Sequence, residues 1–260
     1  MLSERLETRV KNGAGRIIWA YDPKLNEPNP FAKFKSIFNE IQDQITAVKI
    51  NRQLVLPYGL RNKELLDILS MVQNADVPLI MDAKVNDIGY TNESIALNYF
   101  NAGFDALICN PFIGLSGGLE PIVSTAERLS KDLIFLVYMS HPGADFGYGR
   151  KIFLTKDEQQ EIGKESCYYY ELFAHLVNKL NASGCIVGAT YPEKVSEIRS
   201  ILKPEKLIIS PGVGAQSGDA KKSRDAGMNY AIIGRAITEG SKVRQYLEKM
   251  SVELKWAEGF

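Results

Sequence analysis

Val77-Pro78-Leu79-Ile80-Met81-Asp82-Ala83-Lys84-Val85-Asn86-Asp87-Ile88 is the stretch in which this chain passes from core to chemistry. Its first five residues are apolar and strand-sized, and they read as a buried strand. Strand side chains alternate between faces, so Ile80, Asp82 and Lys84 point the same way. Two opposite charges therefore stand side by side where a buried strand runs out, and Asp87 follows at once in the loop. Buried charges are costly unless paired, so the cluster marks either a site or an ion-pair lock.

The unit around that stretch is a short strand, a polar loop and an amphipathic segment, and it recurs along the chain. Apolar runs at 16–21, 47–50, 78–82, 106–109, 133–138, 184–187, 206–210 and 230–234 read as strands. Segments at 92–102, 168–182, 193–202 and 236–250 show helical periodicity. Strand-then-helix order implies a parallel sheet, because parallel neighbours need crossovers. Eight such units predict an α/β fold of the (β/α)8 TIM-barrel type, with a doubly wound open sheet as the alternative. The 260 residues suit one such barrel of about 250 residues, so 1–260 reads as a single domain with a short N-terminal capping segment at about 1–14. The segment 144–163, ADFGYGRKIFLTKDEQQEIG, breaks the rhythm. It follows the fifth strand and reads as a long loop at the carboxyl mouth. A lid, an oligomer contact and a decorative insertion are all open for it.

Composition removes several classes of function. Lys plus Arg and Asp plus Glu both number 31, which gives no basic surface for nucleic acid. No apolar run reaches the roughly 18 residues of a membrane span, and the charged N-terminus lacks the apolar centre of a secretory signal. The three cysteines, Cys109, Cys167 and Cys185, lack metal-ligand spacing and read as reduced core residues of a cytoplasmic protein.

In a barrel, polar residues at the strand ends converge. The first strand ends at Asp22, the second carries Lys49 and the third carries Asp82 and Lys84. The fifth runs into Met139-Ser140-His141-Pro142-Gly143, and the seventh into Ser210-Pro211-Gly212-Val213-Gly214-Ala215-Gln216. The eighth ends in Gly234-Arg235. Alternating Asp and Lys would form a mixed-charge network in which each sign favours the ionised form of the other. Phosphate in barrels often binds after the last two strands, and Gly212, Gly214, Gly234 and Arg235 fit that place. Blander readings stand beside these. Asp82 and Lys84 could be a structural ion pair, and Lys49 could snorkel out of its strand. His141 reads as a loop residue, His175 and the Tyr168-Tyr169-Tyr170 run as helix packing or surface, and Trp19 as barrel core.

DAKVNDIGYT at 82–91, MSHPGA at 139–144, VGATYPE at 187–193, SPGVGAQSGD at 210–219 and IIGRAI at 232–237 together carry a resemblance. The chain resembles orotidine 5'-phosphate decarboxylase of the compact microbial kind over most of its length. The first piece is similar to that family's Asp-x-Lys-x-x-Asp-Ile motif with its later Thr. The stretch Trp19-Ala20-Tyr21-Asp22 is bulkier than the small-residue strand end usual there, and segment 144–163 is longer than in compact members.

The resemblance implies a barrel enzyme that removes the carboxylate of a pyrimidine nucleotide with no cofactor and no metal, working as a homodimer with shared sites. Lys84 would stabilise the carbanion at C6 and protonate it, Asp82 would hold Lys84, and the partner's Asp87 would complete a Lys49–Asp82–Lys84–Asp87 network. Asp22, Lys49 and Thr91 would contact the ribose, with Thr91 again from the partner. Ser140 would read the pyrimidine edge, Gln216 would bridge base and phosphate, and Gly234 with Arg235 would hold the phosphate. Ile88 and Pro211 are further implied substrate contacts. Two other functions compete. One is a Mg-dependent sugar-phosphate decarboxylase or aldolase of the same suprafamily, although Lys49 stands where such an enzyme needs a metal-binding carboxylate. The other is a non-catalytic nucleotide-binding protein.

Overall fold

Short runs rich in β-branched and aromatic residues form strands, and the amphipathic segments between them carry the chain back to start the next parallel strand. The computed structural model describes residues 1–24, 26–213 and 220–254. Its strands are β1 (Ile17–Tyr21), β2 (Ala47–Asn51), β3 (Leu79–Val85), β4 (Ala106–Cys109), β5 (Asp132–Tyr138), β6 (Lys151–Phe153), β7 (Ser166–Tyr168), β8 (Gly184–Val187), β9 (Leu207–Pro211) and β10 (Tyr230–Ile233). All but β6 and β7 close into a barrel in the order β1-β10-β9-β8-β5-β4-β3-β2. Every barrel pair is parallel. The expected (β/α)8 architecture is the one observed, and the open-sheet alternative is not.

Strand bounds follow expectation most closely at β4 and β8, which match residue for residue. The informative difference is β3. It runs on to Val85, so Asp82 and Lys84 lie within the strand and not where it runs out. Pairing of β3 with β4 shifts register between Met81 and Val85, and Lys84 adopts a φ of 45°. A non-glycine residue in the left-handed region is held there by its surroundings at a cost of about 1–3 kcal/mol. The helical stretch expected at 236–250 is two helices, Arg235–Thr238 and Val243–Glu253, with Gly240 between them.

The bulk preceding Asp22 has a simple place. Trp19 and Tyr21 alternate with Ala20 and face out of the barrel, where both are buried. Trp19 stacks on Phe34 with ring centroids 4.9 Å apart and donates from Nε1 to Thr238 Oγ1 at 3.3 Å. The Tyr21 hydroxyl donates to the Pro30 carbonyl at 2.5 Å. Their partner helix, Pro30–Ile41, buries Phe31, Phe34, Phe38 and Ile41 at i, i+3 and i+4 spacing. Trp19 is therefore core between strand and helix, and only small Ala20 faces inward.

The N-terminal helix Leu2–Lys11 lies against the start of several strands. The Leu2 amide donates to Asp132 at the head of β5, and Arg5 pairs with Asp105 just before β4. At the opposite end, segment 144–163 is not an unstructured loop. It holds helices Ala144–Gly147 and Lys156–Ile162, and its strand β6 pairs antiparallel with β7, beyond the expected limit. Thr155 and Glu158 form a capping box at the start of the second helix, and Gly163 closes it with φ of 76°. Tyr148 is buried and the Tyr138 hydroxyl donates to Asp145, so the insertion is fastened to the barrel wall. Tyr170 is buried and Tyr168 exposed, as a helix start lying on the surface requires. Among the described residues no helix is long and apolar enough to cross a membrane.

Candidate active site

All the barrel strands send side chains into one cup of 380 Å³ at their carboxyl ends. Its walls are apolar on one side, with Ile108, Leu136, Ile186 and Ile232. On the other side Asp22, Lys49, Asp82 and Lys84 form a chain of charges. Lys49 Nζ lies 2.9 Å from Asp82 Oδ2 and 3.8 Å from Asp22 Oδ1. Lys84 Nζ lies 2.6 Å from Asp82 Oδ1. Asp82 thus has one ammonium on each oxygen. Lys49 is 5% exposed and Asp82 7%, which decides against a snorkelling Lys49.

The electrostatics follow from that arrangement. Burial pulls the Lys49 ammonium down, but Asp82 and Asp22 outweigh it and hold its pKa above the ordinary lysine value. Burial pushes the Asp82 carboxyl up, yet Lys49 and Lys84 outweigh that and hold it below the ordinary carboxylate value. Asp82 is therefore a carboxylate at neutral pH and Lys49 an ammonium. Beyond its ion pair with Lys49 at 3.8 Å, buried Asp22 Oδ1 accepts no hydrogen bond from a described residue, leaving acceptor capacity at the cup wall.

A pH dependence follows. The folded-state pKa of Asp82 lies below its unfolded value of about 3.9. A depressed carboxylate contributes stability that is fully present above the unfolded value and is lost as pH falls through the folded one. Asp82→Asn should lower the urea midpoint most near neutral pH, because Lys49 then loses its buried counter-charge. The gap from the unaltered chain should narrow as pH drops below about 4. Midpoints for both chains at about pH 7 and about pH 3 check this, and an equal gap at both would refute it.

The mouth carries the other expected residues. Ser140, Pro211, Gly212, Gly234 and Arg235 all line the cup. Gly212 has φ of 98°, a backbone that suits glycine. Arg235 is exposed and makes no hydrogen bond or ion pair with a described residue, so its guanidinium is available to a ligand at the rim. Gly214 and Gln216 lie outside the described residues.

Asp87, Ile88 and Thr91 stand apart from the cup of their own chain. Within one chain the network runs Asp22–Lys49–Asp82–Lys84, without Asp87. Asp87 and Thr91 line an adjoining open cleft with Arg52, Leu56 and Tyr90, and Lys84 borders both cup and cleft. The Asp87 backbone is clamped by Asn92, whose Oδ1 accepts from Asp87 N at 3.1 Å and whose Nδ2 donates to Asp87 O at 2.5 Å. Asn92 is fully buried, and its Nδ2 also donates to Gly118 O at 2.8 Å.

Sequence reasoning missed Asn92 and also Asn51, which lines the cup two residues beyond Lys49. Strand alternation from Lys49 was the available signal for Asn51. None was available for Asn92, whose partners are backbone groups. His141 is an exposed loop residue, and His175 is half-buried on its helix, where burial lowers its pKa. The cysteines are free and buried, and burial pushes the Cys109 and Cys185 thiols up to about 12.

A closed parallel barrel with paired ammonium and carboxylate groups in its carboxyl-end cup, and an arginine at the rim, defines the class as a (β/α)8-barrel enzyme. The chain belongs to the orotidine 5'-phosphate decarboxylase / HUMPS family, whose model matches residues 16–250. It is 33% identical to the orotidine 5'-phosphate decarboxylase of Methanosarcina barkeri, over 84% of this chain and 87% of that protein. The crystal structure of orotidine 5'-monophosphate decarboxylase from Methanocaldococcus jannaschii complexed with inhibitor BMP superposes with a TM-score of 0.71 at 25% identity, covering 94% of this chain and 100% of that one. The OMP decarboxylase structure from Leishmania donovani shares the fold with a TM-score of 0.76 at 22% identity, over 97% of each chain.

Proposed function

We propose that this protein decarboxylates orotidine 5'-phosphate to UMP in de novo pyrimidine biosynthesis, with Lys84 as the proton donor and no cofactor. The observation that carries this reading is Asp82 held between two ammonium groups, at 2.9 Å from Lys49 and 2.6 Å from Lys84, inside a cup whose other wall is apolar. Loss of CO2 breaks the bond from C6 to the carboxylate carbon and leaves the electron pair on C6. That carbon has no neighbour that delocalises the pair well, so a fixed positive charge must stabilise it. The Lys84 ammonium supplies that charge and then its proton, and the resulting amine is reprotonated from water. Asp82 accepts from Lys84 Nζ at 2.6 Å and so aims it, and the Asp82 charge faces the departing carboxylate.

The remaining roles follow the same pattern. Lys49 and Asp22, whose Oδ1 accepts no hydrogen bond from a described residue, suit ribose hydroxyls. Ser140 meets the pyrimidine edge, and Pro211 lies beside the base. Arg235 with the Gly234 backbone takes the phosphate, whose shape matches a guanidinium fork. Gln216 joins base to phosphate. Binding energy gathered at the phosphate can then support closure over the reacting ring.

In this reading the protein is a cytoplasmic homodimer. The cleft beside the cup carries Leu56 and Tyr90, 72% and 85% exposed, with Ile88 nearby at 75%. Such an apolar group suits a subunit interface. A second subunit seated there brings the partner's Asp87, Ile88 and Thr91 to the cup. Three reduced buried thiols fit a reducing compartment.

Falling absorbance of orotidine 5'-phosphate in the presence of EDTA tests the reading. Turnover that survives the chelator is the expected result. Turnover of a sugar phosphate that EDTA abolishes would instead support the Mg-dependent reading. That alternative has Lys49, a cation, where a metal carboxylate is required.

A further inference from the structure

The segment that follows β8 braces the segment that follows β5. From this we propose that Thr190 and Gly188 are positioning residues, which set Ser140 at the place where it meets the pyrimidine ring. The inference rests on the role given to Ser140 in the proposed function.

Ser140 lines the cup, and its hydroxyl makes no hydrogen bond with a described residue. The place from which it reaches into the cup, its Cβ, is set by its backbone. That backbone is held from the neighbouring strand end. Gly188 N donates to Tyr138 O at 2.9 Å, extending the β5–β8 ladder past Val187. Thr190 Oγ1 donates to Ser140 O at 3.1 Å, and Tyr191 OH donates to His141 O at 3.0 Å. Two successive carbonyls after β5 are thus each held by one of two successive side chains after β8.

Gly188 makes the approach possible. A Cβ at that position would lie 2.6 Å from Ser140 Cα, 2.9 Å from its Cβ and 3.0 Å from its N. No side chain fits there unless Ser140 moves. The same short segment is tied on its other side. Ala189 N donates to Pro211 O at 2.9 Å, and the buried Ser223 hydroxyl donates to Ala189 O at 2.9 Å. Gly188-Ala189-Thr190 therefore spans the cup wall from Ser140 to Pro211, fixing two cup residues relative to each other.

Thr190 does not line the cup. Its effect on a ligand must pass through Ser140, and Ser140 is assigned to the base, away from the sugar phosphate. Loss of the Thr190 hydroxyl should then weaken recognition of the base alone. The experiment is a pair of titrations, with UMP and with ribose 5-phosphate, on the unaltered chain, Thr190→Val and Thr190→Ser, beside steady-state turnover of orotidine 5'-phosphate. Losing one hydrogen bond predicts that Thr190→Val weakens UMP by about three- to tenfold and leaves ribose 5-phosphate unchanged. Thr190→Ser, which keeps the donor, should stay within about twofold of the unaltered chain for both ligands. Gly188→Ala should shift UMP in the same direction and further, with its melting temperature followed alongside. Equal weakening of both ligands by Thr190→Val, or no weakening of UMP, would overturn the brace while turnover by the unaltered chain leaves the assigned activity standing. Absence of turnover by the unaltered chain would overturn the assigned activity and the brace with it.

Discussion

Lys84→Ala is expected to remove decarboxylation while the barrel stays folded. The side chain supplies both the charge that faces C6 and the proton that ends the reaction, and no other ammonium occupies its place. Lys49 is committed to Asp82 and Asp22 at 2.9 and 3.8 Å, on the far side of the Asp82 carboxylate. Losing a positioned proton donor costs about 10²–10⁴ in rate, and losing a preorganised charge about 10²–10³, so a fall in kcat of at least about a thousandfold is expected. Stability should change much less, because Lys84 is only partly buried and Asp82 keeps its bond to Lys49. Removing the side chain also removes part of the reason for its left-handed backbone, with φ of 45°. Single-turnover absorbance measurements with thermal melts would check both halves. A residual rate within about tenfold of the unaltered chain, which is about 1.4 kcal/mol of barrier, would remove Lys84 from its role.

The architecture was legible because eight apolar runs alternate with amphipathic segments, and that rhythm has few closed solutions in a chain of this length. The cup was legible for a related reason. A lysine or aspartate in an otherwise apolar strand is conspicuous, and strand alternation assigns it a face. What could not be read depends on contacts between distant residues. Alternation put Asp82 and Lys84 on one face, and both do reach the cup, but Lys84 gets there through a register shift and a positive φ that no local residue announces. Trp19 and Tyr21 looked too large for a strand end beside a site. Their size is absorbed by Phe34 and the Pro30 carbonyl on the outer face, which only the packed helix reveals.

Segment 144–163 shows the reverse case. Thr155 with Glu158, followed by Gly163, is a helix start and stop that could have been read directly. The two glycines and the charges before it hid the short hairpin, because each of its strands is too brief to show a period. Asn92 is different again. It looks like an ordinary polar helix residue until its side chain is seen to hold the Asp87 backbone.

That clamp gives the second large effect its geometry. Asn92 fixes the loop so that Asp87 borders the outer cleft and stays out of its own cup, while Lys84 borders both spaces. If a second subunit covers the exposed Leu56, Ile88 and Tyr90, each cup combines one chain's Lys84 with the partner's Asp87. Asp87→Ala and Lys84→Ala should each be inactive alone. In a heterodimer of the two, one cup receives both defects and the other receives neither. Random exchange makes half the dimers heterodimers, so about one site in four should recover full activity. A chain that owned its whole site would behave otherwise. Every cup would keep one defect, and mixing would restore nothing. The measurement is decarboxylation after the two inactive proteins have been mixed under conditions where subunit exchange is confirmed by mass-tagged copies. Recovery near a quarter of the unaltered rate supports shared cups. No recovery, with exchange demonstrated, would return Asp87 to its own chain and leave the Leu56, Ile88 and Tyr90 surface without the role assigned to it.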